Sequence, residues 1–348
     1  MAENKEIVGI IGSGSFGVTL TKLLYPNARP ILYSRRFKNI SDLNAYHENL
    51  NYDLPEDVEI SNDLEYVAAK CKIIFPVIPS SSFRNMMTSL SPFLNPSHIL
   101  IHCTKGFDYA YKEVGEENII SKTDRSQVKT MSEVIKDEST VIRIGCMAGP
   151  NLAKEILADK PAATVIASEF KEVVDIGIKL LSSEQFFVFG SEDLKGAEIA
   201  GAYKNIIALG SGLLGGIDMG INAQAMVITR GLHEMIHFGK YFGTEGKAFL
   251  GTAGIGDLVA TATSQNSRNY SFGVRLAKGD SLEDIISTSR EVVEGLRTLK
   301  IVKNLAQHYN LKLPITNMLY SIVYEGFDLR KAIQLLMKYP FKKDVDFV

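Results

Sequence analysis

The chain has 348 residues, enough for two domains, and 45% of them are hydrophobic, enough to fill real cores. Its 38 basic and 40 acidic residues leave a net charge of −2, which excludes a global field for nucleic acid or an anionic membrane. No apolar stretch is long enough to span a bilayer, and Cys71, Cys103 and Cys146 are scattered without a CxxC pair. The thiols read as reduced and buried, and the polar residues 1–6 do not read as a secretory leader. A cytoplasmic protein with no nucleic-acid partner and no stable membrane insertion is expected.

Glu6-Ile7-Val8-Gly9-Ile10-Ile11 is an apolar run too short for a helix and reads as a buried strand. It breaks into Gly12-Ser13-Gly14-Ser15-Phe16-Gly17, and helical spacing returns from Val18. Strand, glycine turn and helix in that order form the first unit of a dinucleotide-binding sheet. Gly12 would allow the tight turn, Gly14 would let the backbone approach a pyrophosphate, and Gly17 would let the helix lie close on the strand. The anion would sit on the N–H groups and positive dipole end of the helix. A glycine turn without a ligand is the plain alternative.

Ile31-Leu32-Tyr33-Ser34 reads as the second strand. An acidic residue at its end would hold ribose hydroxyls, but Arg35 and Arg36 stand there instead. Two guanidiniums suit a 2′-phosphate and favour NADP(H), with NAD(H) as the other option and solvated surface arginines as the bland one. Residues 46–63 read as a polar loop with at most one short element. A buried strand at 71–79 leads to a helix that Ser81 or Ser82 caps. Ile99-Leu100-Ile101-His102-Cys103 delivers Thr104-Lys105-Gly106 to the carboxyl edge of the sheet, where ligands bind, so Lys105 is either a ligand contact or a surface lysine. The charged stretch 108–125 has no period and reads as loop or irregular helix. A short helix at 131–137, strands at 141–146, 164–168 and 186–190, and a helix at 172–181 complete a doubly wound domain over 1–190.

After Gly190 the β-branched runs stop, and an all-α domain over 191–348 is expected. Ser191 is the expected cap of its first helix. Ala197, Gly201, Lys204 and Ala208 share one face of that helix, and the tiny residues imply close packing. A lysine there is desolvated, which disfavours its charged form and suits a general base; a snorkelling lysine is the alternative. Gly254-Ile255-Gly256-Asp257 is a glycine turn ending in a carboxylate, and Ser267-Arg268-Asn269 supplies donors for a phosphate or merely caps a helix. Val292-Val293-Glu294-Gly295 precedes the last helices, and the charged tail from Lys338 reads as loosely held. His233-Glu234-Met235-Ile236-His237 satisfies HExxH, but no third ligand follows at an obvious position, so no metal is expected and a zinc peptidase is a remote alternative.

Together these motifs resemble the NAD(P)-dependent glycerol-3-phosphate dehydrogenases, soluble bacterial type, over nearly the whole chain. The match runs through Gly12 to Gly17, Thr104-Lys105-Gly106, Gly149-Pro150-Asn151-Leu152-Ala153-Lys154-Glu155 and Gly201-Ala202-Tyr203-Lys204-Asn205. It continues through Ile228-Thr229-Arg230-Gly231-Leu232-His233-Glu234-Met235, Gly254 to Leu258, Ser267-Arg268-Asn269 and Val293-Glu294-Gly295. The resemblance implies reversible hydride transfer between NAD(P)H and dihydroxyacetone phosphate, giving sn-glycerol 3-phosphate for glycerophospholipid synthesis. It implies Lys204 as proton acceptor, supported by Lys105 and Asp257. It implies substrate contacts at Lys105, Gly149, Asn151, Lys204, Asp257, Ser267, Arg268 and Asn269. Cofactor contacts are implied at Gly12, Gly14, Ser15, Phe16, Gly17, Arg35, Arg36, Lys105, Ala153, Arg268, Val292 and Glu294. Asn151 stands where the bacterial pattern has serine, and Phe16 where it often has Trp or Tyr. Another lysine-dependent 3-hydroxyacid or sugar-phosphate dehydrogenase is the nearest rival, and a homodimer is an open option.

Overall fold

The computed structural model describes residues 5–109, 123–289 and 292–338. Eight strands form one sheet: β1 (Glu6–Ile11), β2 (Ala28–Tyr33), β3 (Glu59–Ser61), β4 (Ile73–Pro76), β5 (Ile99–His102), β8 (Arg143–Ala148), β9 (Ala162–Ser168) and β10 (Phe186–Ser191). Two-residue strands β6 (Asp108–Tyr109) and β7 (Val128–Lys129) lie outside it. The order is β10-β9-β8-β5-β4-β1-β2-β3. The strands from β3 through β8 pair in parallel, and the order reverses on either side of β1. The ends of β1 and β4 therefore flank a topological switch point, where open sheets of this kind bind ligands.

Alternation along the strands explains why helices cover both faces. Val8 and Ile10, Phe75, and Ile99 and Ile101 enter one apolar cluster; Ile11, Ile74 and Leu100 enter another. The first cluster is closed by α1 (Ser15–Leu24), α2 (Ile40–Tyr46), α6 (Ala153–Leu157) and α7 (Lys171–Leu181), through Leu20, Leu43, Ile156 and Leu180 among others. The second is closed by α3 (Leu64–Lys70), α4 (Ser80–Leu90) and α5 (Met131–Glu138), through Val67, Phe83 and Val134.

β9 departs from the doubly wound expectation, because it pairs antiparallel with β8 and carries β10 with it. A parallel return is built round a helix long enough to run back along the sheet. The link from β8 to β9 holds only the five-residue α6, and the chain turns back instead.

The helical part contains α8 (Leu194–Gly216), α9 (Ile221–Tyr241), α10 (Asp257–Thr263), α11 (Arg268–Ala277), α12 (Leu282–Thr288), α13 (Glu294–His308), α14 (Pro314–Tyr324) and α15 (Leu329–Met337). α8 is buried without a break from Glu198 to Leu214. A Cβ on Gly212 would lie 2.1 Å from the Tyr270 carbonyl oxygen, and one on Gly273 would lie 2.3 Å from that of Leu209, so α8 and α11 touch backbone to backbone. The cap of α8 is Asp193, whose carboxylate accepts from Gly196 N at 2.9 Å; Ser191 Oγ accepts from Asp193 N instead.

The chain divides into two compact units, and the division differs from a cut after residue 190. One unit holds the chain up to Asp108 and Thr130–Ala197; the other holds residues 123–129 and the chain from Glu198. The 123–129 segment joins the helical unit because Asp124 Oδ2 accepts from Tyr309 Oη at 3.0 Å and the Arg125 guanidinium lies 4.2 Å from the Phe242 ring centre. Most of the charged 108–125 stretch, residues 110–122, and the tail beyond 338 lie outside the described residues.

Candidate active site

In the sheet unit, each glycine of the turn has a geometric reason. Gly12 has φ of +126°, and a Cβ on it would lie 2.3 Å from the Val77 carbonyl oxygen. A Cβ on Gly17 would lie 1.9 Å from the Gly12 oxygen, so α1 could not rest against the turn. A Cβ on Gly14 would meet nothing within 4 Å, which leaves room for a pyrophosphate against the backbone. Gly14 begins α1 without a side-chain cap, and no acidic residue sits in its first turn, so Ser15 and Phe16 open a helix suited to an anion.

Ser34 directly follows β2. Its Oγ accepts from Arg36 N and Phe37 N and lies 2.8 Å from Ser13 Oγ, tying this turn to the glycine turn. Arg35 and Arg36 are exposed, and the Arg36 guanidinium lies 3.9 Å from the Tyr46 ring centre and 5.2 Å from that of Phe37.

Beyond β5, Thr104 Oγ1 donates to Ile78 O at 2.7 Å and Lys105 Nζ donates to Gly149 O at 2.7 Å. Gly149 has φ of +144° and no room for a Cβ beside Thr164. Thr164 Oγ1 donates to Ala148 O, so it must accept from Asn151 Nδ2 at 3.0 Å, which fixes the Asn151 amide. Asn151 Oδ1 is then a buried acceptor with no partner among the described residues. Ala153, at the start of α6, is partly exposed.

In the helical unit, α8 carries Lys204 and α10 carries Asp257. Lys204 Nζ donates to Asp257 Oδ1 at 2.6 Å and to Thr261 Oγ1 at 2.5 Å, and the lysine is only 5% exposed. The expected glycine turn before Asp257 is a π-helical turn, Thr252–Gly256, closed so tightly that a Cβ on Gly254 would lie 2.2 Å from the Phe249 oxygen. α10 then presents Asp257 and Thr261 one turn apart on one face.

Asn269 is buried and bonded at both ends of its amide. Its Nδ2 donates to Asn205 Oδ1 at 2.9 Å and its Oδ1 accepts from Gly295 N at 3.0 Å. It thereby ties the neighbour of Lys204 to the start of α13, where Glu294 is the first residue. Ser267 caps α11, its Oγ accepting from Tyr270 N, and exposed Arg268 donates from Nη1 to Val292 O at 3.0 Å.

Glu234 of the HExxH stretch points inward. Its carboxylate accepts from Ile315 N, Thr316 N and Thr316 Oγ1 at the N-terminus of α14 and from Tyr203 Oη at 3.3 Å, while His237 is exposed. Among the described residues no cluster of three or more His, Cys, Asp or Glu could hold a metal ion.

Residues 7–174 match the model for the NAD-dependent glycerol-3-phosphate dehydrogenase N-terminus, and residues 193–334 match that for its C-terminus. The chain belongs to this family. A relative from Alcanivorax borkumensis, named glycerol-3-phosphate dehydrogenase (NAD(P)+), is 34% identical across 100% of this chain and 98% of its own length. One of the same name from Acinetobacter baylyi is 36% identical, covering 98% and 92%. The solved glycerol-3-phosphate dehydrogenase of Coxiella burnetii superposes with a TM-score of 0.85 at 29% identity, over 96% of this chain and 99% of that one.

Within this glycerol-3-phosphate dehydrogenase frame, sequence reasoning missed Thr261 and Thr164. The i, i+4 spacing of Asp257 and Thr261 was the available signal for the first. For Thr164 there was none, since its role depends on β9 running back beside β8.

Proposed function

We propose that this chain catalyses reversible hydride transfer between NADP(H) and dihydroxyacetone phosphate, yielding sn-glycerol 3-phosphate for glycerophospholipid synthesis. The observation that carries the reading is the Lys204 ammonium held between Asp257 and Thr261. A nicotinamide, when bound, supplies or accepts the hydride. In reduction Lys204 donates a proton to the oxygen at C2, and in oxidation it takes the hydroxyl proton back. Asp257 and Thr261 fix the direction of Nζ, so the proton is delivered along one line. Lys105 adds positive charge where negative charge develops on the substrate oxygen.

Ser267, Arg268 and Asn269 grip the substrate phosphate in this reading, with Arg268 and Glu294 also touching cofactor, together with Val292 and Ala153. Asn151 Oδ1, a buried acceptor with a fixed amide, takes a hydrogen bond from a substrate hydroxyl. The glycine turn fits a dinucleotide, because the cradle at Gly14 is what a Cβ would fill. NADP(H) is favoured over NAD(H) by Arg35 and Arg36, which stand where an acidic residue would hold the ribose hydroxyls. No helix among the described residues is long and apolar enough to cross a membrane, and a cytoplasmic location, with assembly as a homodimer, is part of the proposal.

The test is dihydroxyacetone phosphate reduction followed with NADPH and NADH in parallel. Turnover with a lower KM for NADPH is expected. No turnover with either cofactor would remove the reading, and turnover with other hydroxyacids alone would favour the rival dehydrogenase.

A further inference from the structure

Lys22 sits in the last turn of α1, and neither the motifs nor the proposed chemistry uses it. Its ammonium donates to Leu157 O at 2.8 Å, to Ile156 O at 3.4 Å and to Asp159 Oδ1 at 2.8 Å, and it lies 4.7 Å from the Tyr52 ring centre. Three N–H donors meet three acceptors, and the side chain is 16% exposed.

Two of those acceptors are the last carbonyls of α6. A helix of five residues has no stability of its own, and its final carbonyls lack intrahelical partners. Ile156 O already accepts from Asp159 N at 3.0 Å, so the cation satisfies Leu157 O, adds to Ile156 O and complements the dipole. Asp159, with φ of +55°, closes the turn and presents its carboxylate to the same ammonium.

α6 directly follows the loop 149–152. Lys105 holds the front of that loop at Gly149 O, and Thr164 holds Asn151. Lys22 holds it from behind, by fixing the helix into which it runs. The same α1 begins at the glycine turn. One side chain therefore joins the helix of the glycine turn to the loop behind β8.

In a doubly wound sheet the two halves of a dinucleotide lie on either side of the switch point. Arg35 and Arg36 mark the β2 side for the adenosine half, which leaves the β4–β5–β8 side for the nicotinamide half. We infer that Lys22 is a positioning residue that sets loop 149–153 for the nicotinamide end of the cofactor without touching it. The inference rests on the function proposed above.

The experiment measures binding of NADPH and of 2′-phospho-ADP-ribose, which lacks the nicotinamide, to the full chain and to Lys22→Met and Lys22→Arg. Met keeps the stem and removes the donors; Arg restores donors and charge. Lys22→Met is expected to weaken NADPH about tenfold and to leave 2′-phospho-ADP-ribose within about twofold, with Lys22→Arg recovering most of the loss. The same split is expected in kinetics, with KM for NADPH raised more than kcat is lowered. Unchanged NADPH binding in Lys22→Met, equal losses for both ligands, or no recovery in Lys22→Arg would each overturn the inference. A wild-type chain that binds neither ligand would overturn the proposed function and this inference together.

Discussion

Lys204 is held by two acceptors on α10 and is buried. Lys204→Ala should lower kcat for dihydroxyacetone phosphate reduction by about 10³-fold or more while leaving the NADPH Kd within about twofold. Steady-state rates beside a fluorescence titration check both halves of that statement; residual turnover near wild type would remove Lys204 from its role. The lysine was legible in the sequence because its helical face is otherwise made of Ala197, Gly201 and Ala208, which leave no ordinary place for a solvated ammonium. For Asp257 the residues alone showed a glycine turn ending in a carboxylate, and its place beside Lys204 was implied by the resemblance. For Thr261 the i, i+4 spacing from Asp257 was the one signal, and its bond to Lys204 appears only when α10 lies against α8. Asn269 has a second task that its motif did not announce, joining Asn205 to Gly295 through both ends of one amide.

In the glycine-turn unit β1 agrees residue for residue at Glu6–Ile11, while α1 begins at Ser15, three residues before helical spacing returns at Val18. The turn's contacts are local in sequence, so spacing alone carries the information. Gly17→Ala should be severely damaging, because the clash at 1.9 Å is with backbone and not with a movable side chain. A loss of NADPH affinity exceeding tenfold and a fall in melting temperature of several degrees are expected, read by titration and by calorimetry. Gly14→Ala would meet no protein atom, so its cost should appear in NADPH binding and hardly at all in melting temperature. The direction of β9 is the opposite case. Its residues read correctly as a strand, but direction depends on how far α6 can carry the chain, and the five-residue length of α6 was not visible in the spacing. Helices α2 and α3 were missed within or beside a polar stretch, where only Ile40 and Leu43 in the first and Val67 and Ala68 in the second give a thin buried stripe.

At the scale of the whole molecule, Glu234 couples protonation to stability. Burial pushes its carboxyl up from its ordinary 4.5 to about 7, against the pull of the donors at Ile315, Thr316 and Tyr203. Below about pH 4.5 the folded and unfolded chains both keep this proton, and its contribution to stability is full. As pH rises through 7 the unfolded chain has already released it and the folded chain must ionise a buried group, so that contribution is lost. The shift corresponds to roughly 3 kcal/mol. Urea unfolding of wild type and Glu234→Gln between pH 5 and 8 should show the wild type losing stability relative to the variant as pH rises, levelling off above about pH 8. A difference that does not change with pH would exclude Glu234 as the titrating group.

The docking of Asp124 and Arg125 on the helical unit also sets a schedule for synthesis. Asp124 and its partner Tyr309 are 185 residues apart in the chain. At ribosomal rates of 5–20 residues per second, Asp124 emerges roughly 10–40 s before Tyr309 exists. All eight strands of the large sheet are complete by Ser191, inside that interval. The nascent sheet can therefore close while residues 123–129 still lack their partners, and only a chain released before Phe242 would leave Asp124 and Arg125 with neither the ring nor the phenol they dock on.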